Sequence, residues 1–247
     1  MVSRKALAAV PTLWYAPPTM LSAIIFDFNG IIADDEPLHL EMFQKVLAEQ
    51  GIPLFREEYY THYLGMDDRD CFKAVFAARK RPADDDLLDR LIEKKAYYYA
   101  RAIDERLIIF PGVRELISAA AAKYPLAIAS GALRHEIEGI LNAITLRAAF
   151  SAIVSAEDVH HGKPAPDCFL LALERLNHGR GGGGMIPAAS CLVIEDSPWG
   201  VTAAHTAGMK CLAVTNSYPA SSLSEADHVV STLEGLPLAA LNGLFDA

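Results

Sequence analysis

The chain repeats one device: a run of three or four apolar residues, unbroken rather than alternating. Ala23-Ile24-Ile25-Phe26 stops at Asp27, Leu126-Ala127-Ile128-Ala129 at Ser130, Cys191-Leu192-Val193-Ile194 at Glu195, and Cys211-Leu212-Ala213-Val214 at Thr215. Ala152-Ile153-Val154 belongs to the same set, and His228-Val229-Val230 is a weaker sixth member. An unbroken apolar run has no solvent-facing side, so it suits a strand covered on both faces, as in a parallel sheet flanked by helices. Between the runs, 112–123, 133–142, 166–176 and 198–207 read as helices, which gives the alternation of a doubly wound parallel, Rossmann-like α/β sheet. Ligands of such sheets bind beyond the carboxyl ends of the strands. Asp27, Ser130 and the pair Glu195-Asp196 all stand at those ends.

Residues 37–105 break the alternation. They hold no good strand candidate and carry helical patterns at 38–50 and 86–103, with Tyr97, Tyr98 and Tyr99 late in the second. This stretch is expected to be an all-helical cap domain, leaving near Asp34-Asp35-Glu36-Pro37 and returning at Phe110-Pro111-Gly112. The α/β core then comprises 21–36 and 106–247. Residues 1–20 have two early basic residues and a short apolar stretch, but prolines at 11, 17 and 18 interrupt it, so an irregular extension is expected rather than a signal peptide. The run Gly181–Gly184 lacks the Gly-Lys-Ser/Thr ending of a phosphate loop and follows a helix, so it reads as a flexible connection.

Charge and cysteines narrow the class. The 22 Lys+Arg against 31 Asp+Glu give a formal charge of −9, which argues against a general nucleic-acid binder but permits an anionic small substrate in one locally positive cleft. Cys71, Cys168, Cys191 and Cys211 are scattered through apolar segments without a C-x-x-C pair, as expected of buried thiols in the cytoplasm. No apolar run reaches the ~18–20 residues that span a bilayer. A monomer or weak homo-oligomer with neither membrane nor nucleic-acid partner is expected.

Four motifs in order carry the chemistry: Phe26-Asp27-Phe28-Asn29-Gly30, Ala129-Ser130-Gly131, Gly162-Lys163-Pro164-Ala165-Pro166-Asp167, and Ile194-Glu195-Asp196-Ser197-Pro198-Trp199-Gly200. Together they resemble the haloacid-dehalogenase superfamily of hydrolases over about residues 22–232, and most closely its β-phosphoglucomutase-like phosphatases with a helical cap. The resemblance implies a Mg²⁺-dependent phosphohydrolase acting on a small phosphorylated, sugar-phosphate-like metabolite, with Asp27 transiently phosphorylated. A carboxylate that attacks phosphorus splits one hard displacement into two easier ones. Mg²⁺ takes about six oxygen ligands, so Asp27, the main-chain carbonyl of Asn29 and Asp196, with Glu195 directly or through water, form a plausible partial shell. Lys163 supplies a point charge, while Ser130 and the Gly131 amide hold phosphoryl oxygens. Each residue also has an ordinary alternative: strand-end Asp and Ser often cap helices, and Lys163 could be a surface charge. By the same resemblance His39, the Gly65 loop, Arg69 and Lys95 face the cleft from the cap, although Glu93-Lys94-Lys95 also reads as an exposed helix face.

Asn29 departs from the pattern. The superfamily's phosphatases and mutases carry there an Asp that serves as general acid and base, and an amide cannot exchange a proton at neutral pH. Losing such a group typically lowers the rate ~10²–10⁴-fold, about 3–5 kcal/mol of barrier. Three outcomes stay open. Another group, such as Asp35, Glu36 or His39, or water itself, handles the proton; the protein is a slow enzyme or a phosphate-ester binder; or the Asn29-Gly30 dipeptide deamidates to a carboxylate in some molecules. A phosphomutase is a further alternative, weakened because Leu64 stands where the mutases have a Lys before the loop glycine and Arg69 is one position late.

Overall fold

Strand β1 (Ala23–Phe26) lies inside a six-stranded sheet with all four residues buried. The computed structural model describes residues 20–106, 108–179 and 184–245. The expected N-terminal extension, apart from Met20, and residues 181–183 of the glycine run lie outside them. Strands β2 (Leu126–Ala129), β3 (Ala152–Val154), β4 (Cys191–Glu195), β5 (Lys210–Val214) and β6 (His228–Val230) complete the sheet in the order β3-β2-β1-β4-β5-β6. Every pairing is parallel. Phe26 pairs with Ile128 on one side and Ile194 on the other, so Asp27, Ala129 and Glu195 come level at one edge.

The unbroken runs are explained by the two faces. With a side-chain period of two, Ile24, Phe26, Ile128, Leu192 and Ile194 enter one apolar cluster, and Ala23, Ile25, Ala127, Val193 and Cys211 enter the other. Burying one such large side chain stabilises the fold by about 1.5–3 kcal/mol. The strands match the apolar runs to within a residue; the differences are that β4 continues into Glu195 and β5 begins at Lys210.

Between β1 and β2 the chain forms α1 (Glu36–Glu49), α2 (Arg56–His62), α3 (Asp68–Ala78) and α4 (Asp85–Arg106), then α5 (Val113–Ala121). The helical stretch thus begins at Glu36 and runs to Arg106. Pro37 suits the first turn of α1, and Asp67 caps α3 by accepting from the Asp70 amide. The first four helices bury an apolar cluster of their own, with Phe43, Val46, Phe72, Val75, Leu88 and Leu91 among its members. The outgoing and returning segments run side by side: the Asp34 amide donates to the Ile108 carbonyl at 2.8 Å and the Phe110 amide to Ile32 at 3.2 Å.

After β2 come α6 (Arg134–Ala143), α7 (Asp167–His178), α8 (Pro198–Thr206) and α9 (Leu238–Gly243). Helices α5, α6 and α9 cover one face of the sheet, and α7 and α8 the other. The four cysteines are buried and unpaired. No described helix is long and apolar enough to cross a membrane.

Candidate active site

Three carboxylates and one ammonium meet beyond the ends of β1 and β4. Lys163 Nζ donates to Asp27 Oδ1 and to Glu195 Oε1, both at 2.7 Å. Asp27, Glu195 and Asp196 each place an oxygen within 4.8 Å of the others, and all three are buried. Two glycines make this density possible. Gly30 turns with φ +76°, and a Cβ there would fall inside the Asp196 carboxylate. At Gly200, in the first turn of α8, a Cβ would collide with the Glu195 side chain.

Glu195 is saturated. Its Oε2 accepts from the Asp196 amide at 2.7 Å, the Ser197 amide at 2.7 Å and the Ser197 hydroxyl at 2.9 Å, while Oε1 holds Lys163. That bonding suits it to position its neighbours. Asp27 and Asp196 are less satisfied. Burial pushes the Asp27 carboxyl up to about 6, with Lys163 opposing and Glu195 adding to the rise. Burial, then Glu195 and Asp27, raises Asp196 well above its ordinary range. For Lys163, burial alone would lower the ammonium, but Asp27 and Glu195 outweigh it and raise it. With all four groups ionised, three negative charges face one positive charge. A divalent cation fits that imbalance and that all-oxygen donor set.

Asn29 sits at the inner edge of a second polar group. Its amide nitrogen donates to both Asp35 oxygens at 3.0 Å, whereas its Oδ1 is the only buried side-chain polar atom without a partner among the described residues. Asp35 also faces His39 Nε2 at 3.1 Å and accepts from the Tyr99 hydroxyl. His39 Nδ1 lies 2.8 Å from Lys95 Nζ, which donates in turn to Asp68 at 2.5 Å. Lys95 is 1% exposed, so the exposed-face alternative for Glu93-Lys94-Lys95 fails at this residue. It lies on the apolar stripe Leu88, Leu91, Lys95, Tyr99, at helical spacings of three and four. Glu36 stands apart, accepting from Tyr59 at 2.5 Å.

The surface-charge alternative for Lys163 also fails, since the side chain reaches into the carboxylate cluster. Ser130 is buried at the end of β2, and its hydroxyl accepts from the Ala132 amide at 3.1 Å, a local turn that leaves its own proton available. Gly131 follows it and is exposed. Gly65 lies between α2 and α3. Arg69 is not drawn to the carboxylates: its guanidinium pairs with Asp85, at 3.3 Å, and Asp89, at the start of α4.

The segment after β5 was not singled out from the sequence. Asn216 donates to the Gly30 carbonyl at 2.6 Å, Ser217 donates to Asp196, and the Tyr218 hydroxyl reaches the Leu64 carbonyl at 3.4 Å. Polar residues just past a strand's carboxyl end were the available signal.

A model of the haloacid dehalogenase-like hydrolases matches residues 24–214, which takes in all four motifs. The chain belongs to that family. It is 30% identical over 192 residues to a phosphorylated carbohydrates phosphatase of Thermotoga maritima, covering 77% of this chain and 83% of that protein. The CbbY protein of Rhodobacter sphaeroides, solved in complex with phosphate, superposes with a TM-score of 0.79 at 25% identity, over 92% of this chain and all of that one. A β-phosphoglucomutase from Clostridium difficile shares the fold, with a TM-score of 0.80 at 23% identity over 92% of this chain and 98% of that one. The haloacid dehalogenase-like fold thus extends past residue 214 to nearly the whole described chain.

Proposed function

We propose that this chain is a Mg²⁺-dependent phosphohydrolase of the cytoplasm that cleaves a small phosphorylated, sugar-phosphate-like metabolite through a phosphorylated Asp27. The carrying observation is the Lys163 ammonium 2.7 Å from both Asp27 and Glu195, with Asp196 alongside. The phosphatase relative supports the substrate class. An Asp27 oxygen attacks phosphorus, the bond from phosphorus to the substrate oxygen breaks, and the alcohol departs with a proton. Water then attacks the acyl phosphate, the phosphorus–Asp27 bond breaks, and inorganic phosphate leaves a regenerated carboxylate. Lys163 offsets charge on the transferring group, and Ser130 with the Gly131 amide holds its oxygens. Asp27, Asp196 and the Asn29 main-chain carbonyl would hold a divalent cation, with Glu195 supporting them, and that cation would supply the positive charge two approaching anions require.

We assign residues 37–105 to a cap that closes over the strand ends and excludes water. Proton handling falls to Asp35 together with His39, 3.1 Å away, rather than to Glu36: Asp35 is bonded to the Asn29 side chain whereas Glu36 is bonded to Tyr59. Burial would raise the Asp35 carboxyl but His39 outweighs it and lowers it, so Asp35 accepts; burial and Lys95 would lower the His39 imidazole but Asp35 raises it, so His39 carries the proton that is given up. On this reading Asp35→Asn lowers turnover at least ~10²-fold, and Glu36→Gln lowers it much less. The second reading, a phosphate-ester binder with little turnover, is favoured by one observation: Asn29 donates its amide protons to Asp35, and an amide cannot serve as an acid. A screen of phosphorylated metabolites with Mg²⁺, run beside Asn29→Asp, tests the pair. An enzyme labels Asp27 with phosphate and gains rate in the variant; a binder shows neither. A peptide mass spectrum containing only the amide at position 29 removes the deamidation route.

A further inference from the structure

Two aromatic rings stand beside the carboxylate cluster, and neither has a part in phosphoryl transfer. Trp199 lies in the first turn of α8, three residues past Asp196 and next to Gly200, whose backbone packs on Glu195. It remains 50% exposed. Tyr218 follows Ser217, whose hydroxyl bonds to Asp196. The two rings stack with centroids 6.2 Å apart and planes 28° from parallel. The Tyr218 hydroxyl bonds to the Leu64 carbonyl, and a Cβ on Gly65 would lie 3.6 Å from it. Tyr218 therefore links the edge of the carboxylate site to the loop between α2 and α3, and Trp199 stacks on it.

We propose that Trp199, backed by Tyr218, is a specificity shelf that holds an uncharged ring in the leaving group of the substrate. This inference rests on the phosphohydrolase reading. A half-exposed indole in the helix turn that follows Asp196, stacked on Tyr218, offers a flat apolar face, which suits the C–H face of a sugar ring or an aromatic ring. The cations expected to meet a charged distal group are otherwise engaged: Arg69 with Asp85 and Asp89, and Lys95 with Asp68 and His39. A second phosphate or a distal carboxylate would have to draw Arg69 away from Asp85 and Asp89, or Lys95 out of its buried position between Asp68 and His39. The favoured substrate is thus a monophosphate with a neutral ring, ahead of a bisphosphate or an acyclic phosphate.

The test compares esters that share the phosphate and differ in the remainder: glucose 6-phosphate and phenyl phosphate as ring substrates, glycerol 3-phosphate and phosphoglycolate as acyclic ones. For Trp199→Ala the ratio of kcat/KM, ring over acyclic, is expected to fall about tenfold, mainly through KM, as loss of one stacked ring implies. Separation of the two ring substrates identifies the source, with glucose 6-phosphate falling further for a sugar and phenyl phosphate for an aromatic. An unchanged ratio overturns the shelf. A binding arm keeps this outcome distinct from failure of the phosphohydrolase reading. The chain has two tryptophans, Trp14 and Trp199, so in Trp14→Phe the indole emission reports Trp199. Saturable quenching by a cyclohexylmethyl phosphonate, at least tenfold tighter than by methyl phosphonate, supports the shelf even in a protein without turnover. Equal response to the two phosphonates, or none, overturns it.

Discussion

Two buried clusters of charge lie close together in this molecule, and they are built on opposite terms. At the strand ends, Asp27, Glu195 and Asp196 face the one ammonium of Lys163. Farther into the helical stretch, Asp35 and Asp68 face Lys95 and His39, with Tyr99 and Asn29 donating as well. In the second group nearly every polar atom has a partner. The first does not balance, and its burial holds two carboxyls in a state they resist. A network whose members partner one another holds each of them, Asp35 and His39 included, at the place where its proton is used, whereas an unbalanced one is arranged to receive something.

Removing one charge from each cluster should separate them most sharply. Asp27→Asn is expected to abolish turnover by roughly 10³-fold or more, yet to leave the metal-free protein as stable as before or more so, since it relieves repulsion. Lys95→Met should do the reverse to stability and lower it by about 1–3 kcal/mol, because it leaves the half-buried Asp68 and His39 without their partner. Urea unfolding with an unchanged slope reads both. If Asp27→Asn proves the more destabilising of the two, the contrast between the clusters is broken.

The pH dependence of the metal-free protein sharpens the same point. Asp27 has a folded-state value of about 6 against an ordinary 3.8. The folded chain therefore binds that proton more readily than the unfolded chain, and stability falls as pH rises from about 4 to about 6, by about 3 kcal/mol. Unfolding measured in EDTA across that window should show the fall, and Asp27→Asn should lessen it, leaving the share that belongs to Asp196. A smaller effect is expected from Mg²⁺ itself. At a hundredfold excess over its Kd it should stabilise the protein by about 2.7 kcal/mol, visible as a rise in Tm that Asp196→Asn removes. A Tm insensitive to Mg²⁺ would leave the carboxylate cluster without its expected occupant.

The sheet was legible because strands covered on both faces cannot hide their composition: Ala23–Phe26 and Cys191–Glu195 admit polar residues only where they end. Asp27, Lys163 and Asp196 were legible through motifs whose residues converge only in three dimensions. Lys95 was half legible, since its neighbours Glu93 and Lys94 suggest an outer face while Leu88, Leu91 and Tyr99 set the stripe that buries it. Asn216, Ser217 and Tyr218 were not read, because nothing in a short polar turn announces which distant carbonyl or carboxylate it will meet.

The pairing of β1 with β4 joins Ala23 to Cys191 across most of the chain. During synthesis at about 5–20 residues per second, one edge of β1 would wait roughly 10–30 s for its neighbour to be made. Helices α1 to α4, whose contacts are nearer in sequence, are free to settle in that interval. The nascent chain therefore carries an apolar strand with an unmet edge until late in translation, and it is then, rather than in the finished molecule, that its exposure to aggregation is greatest.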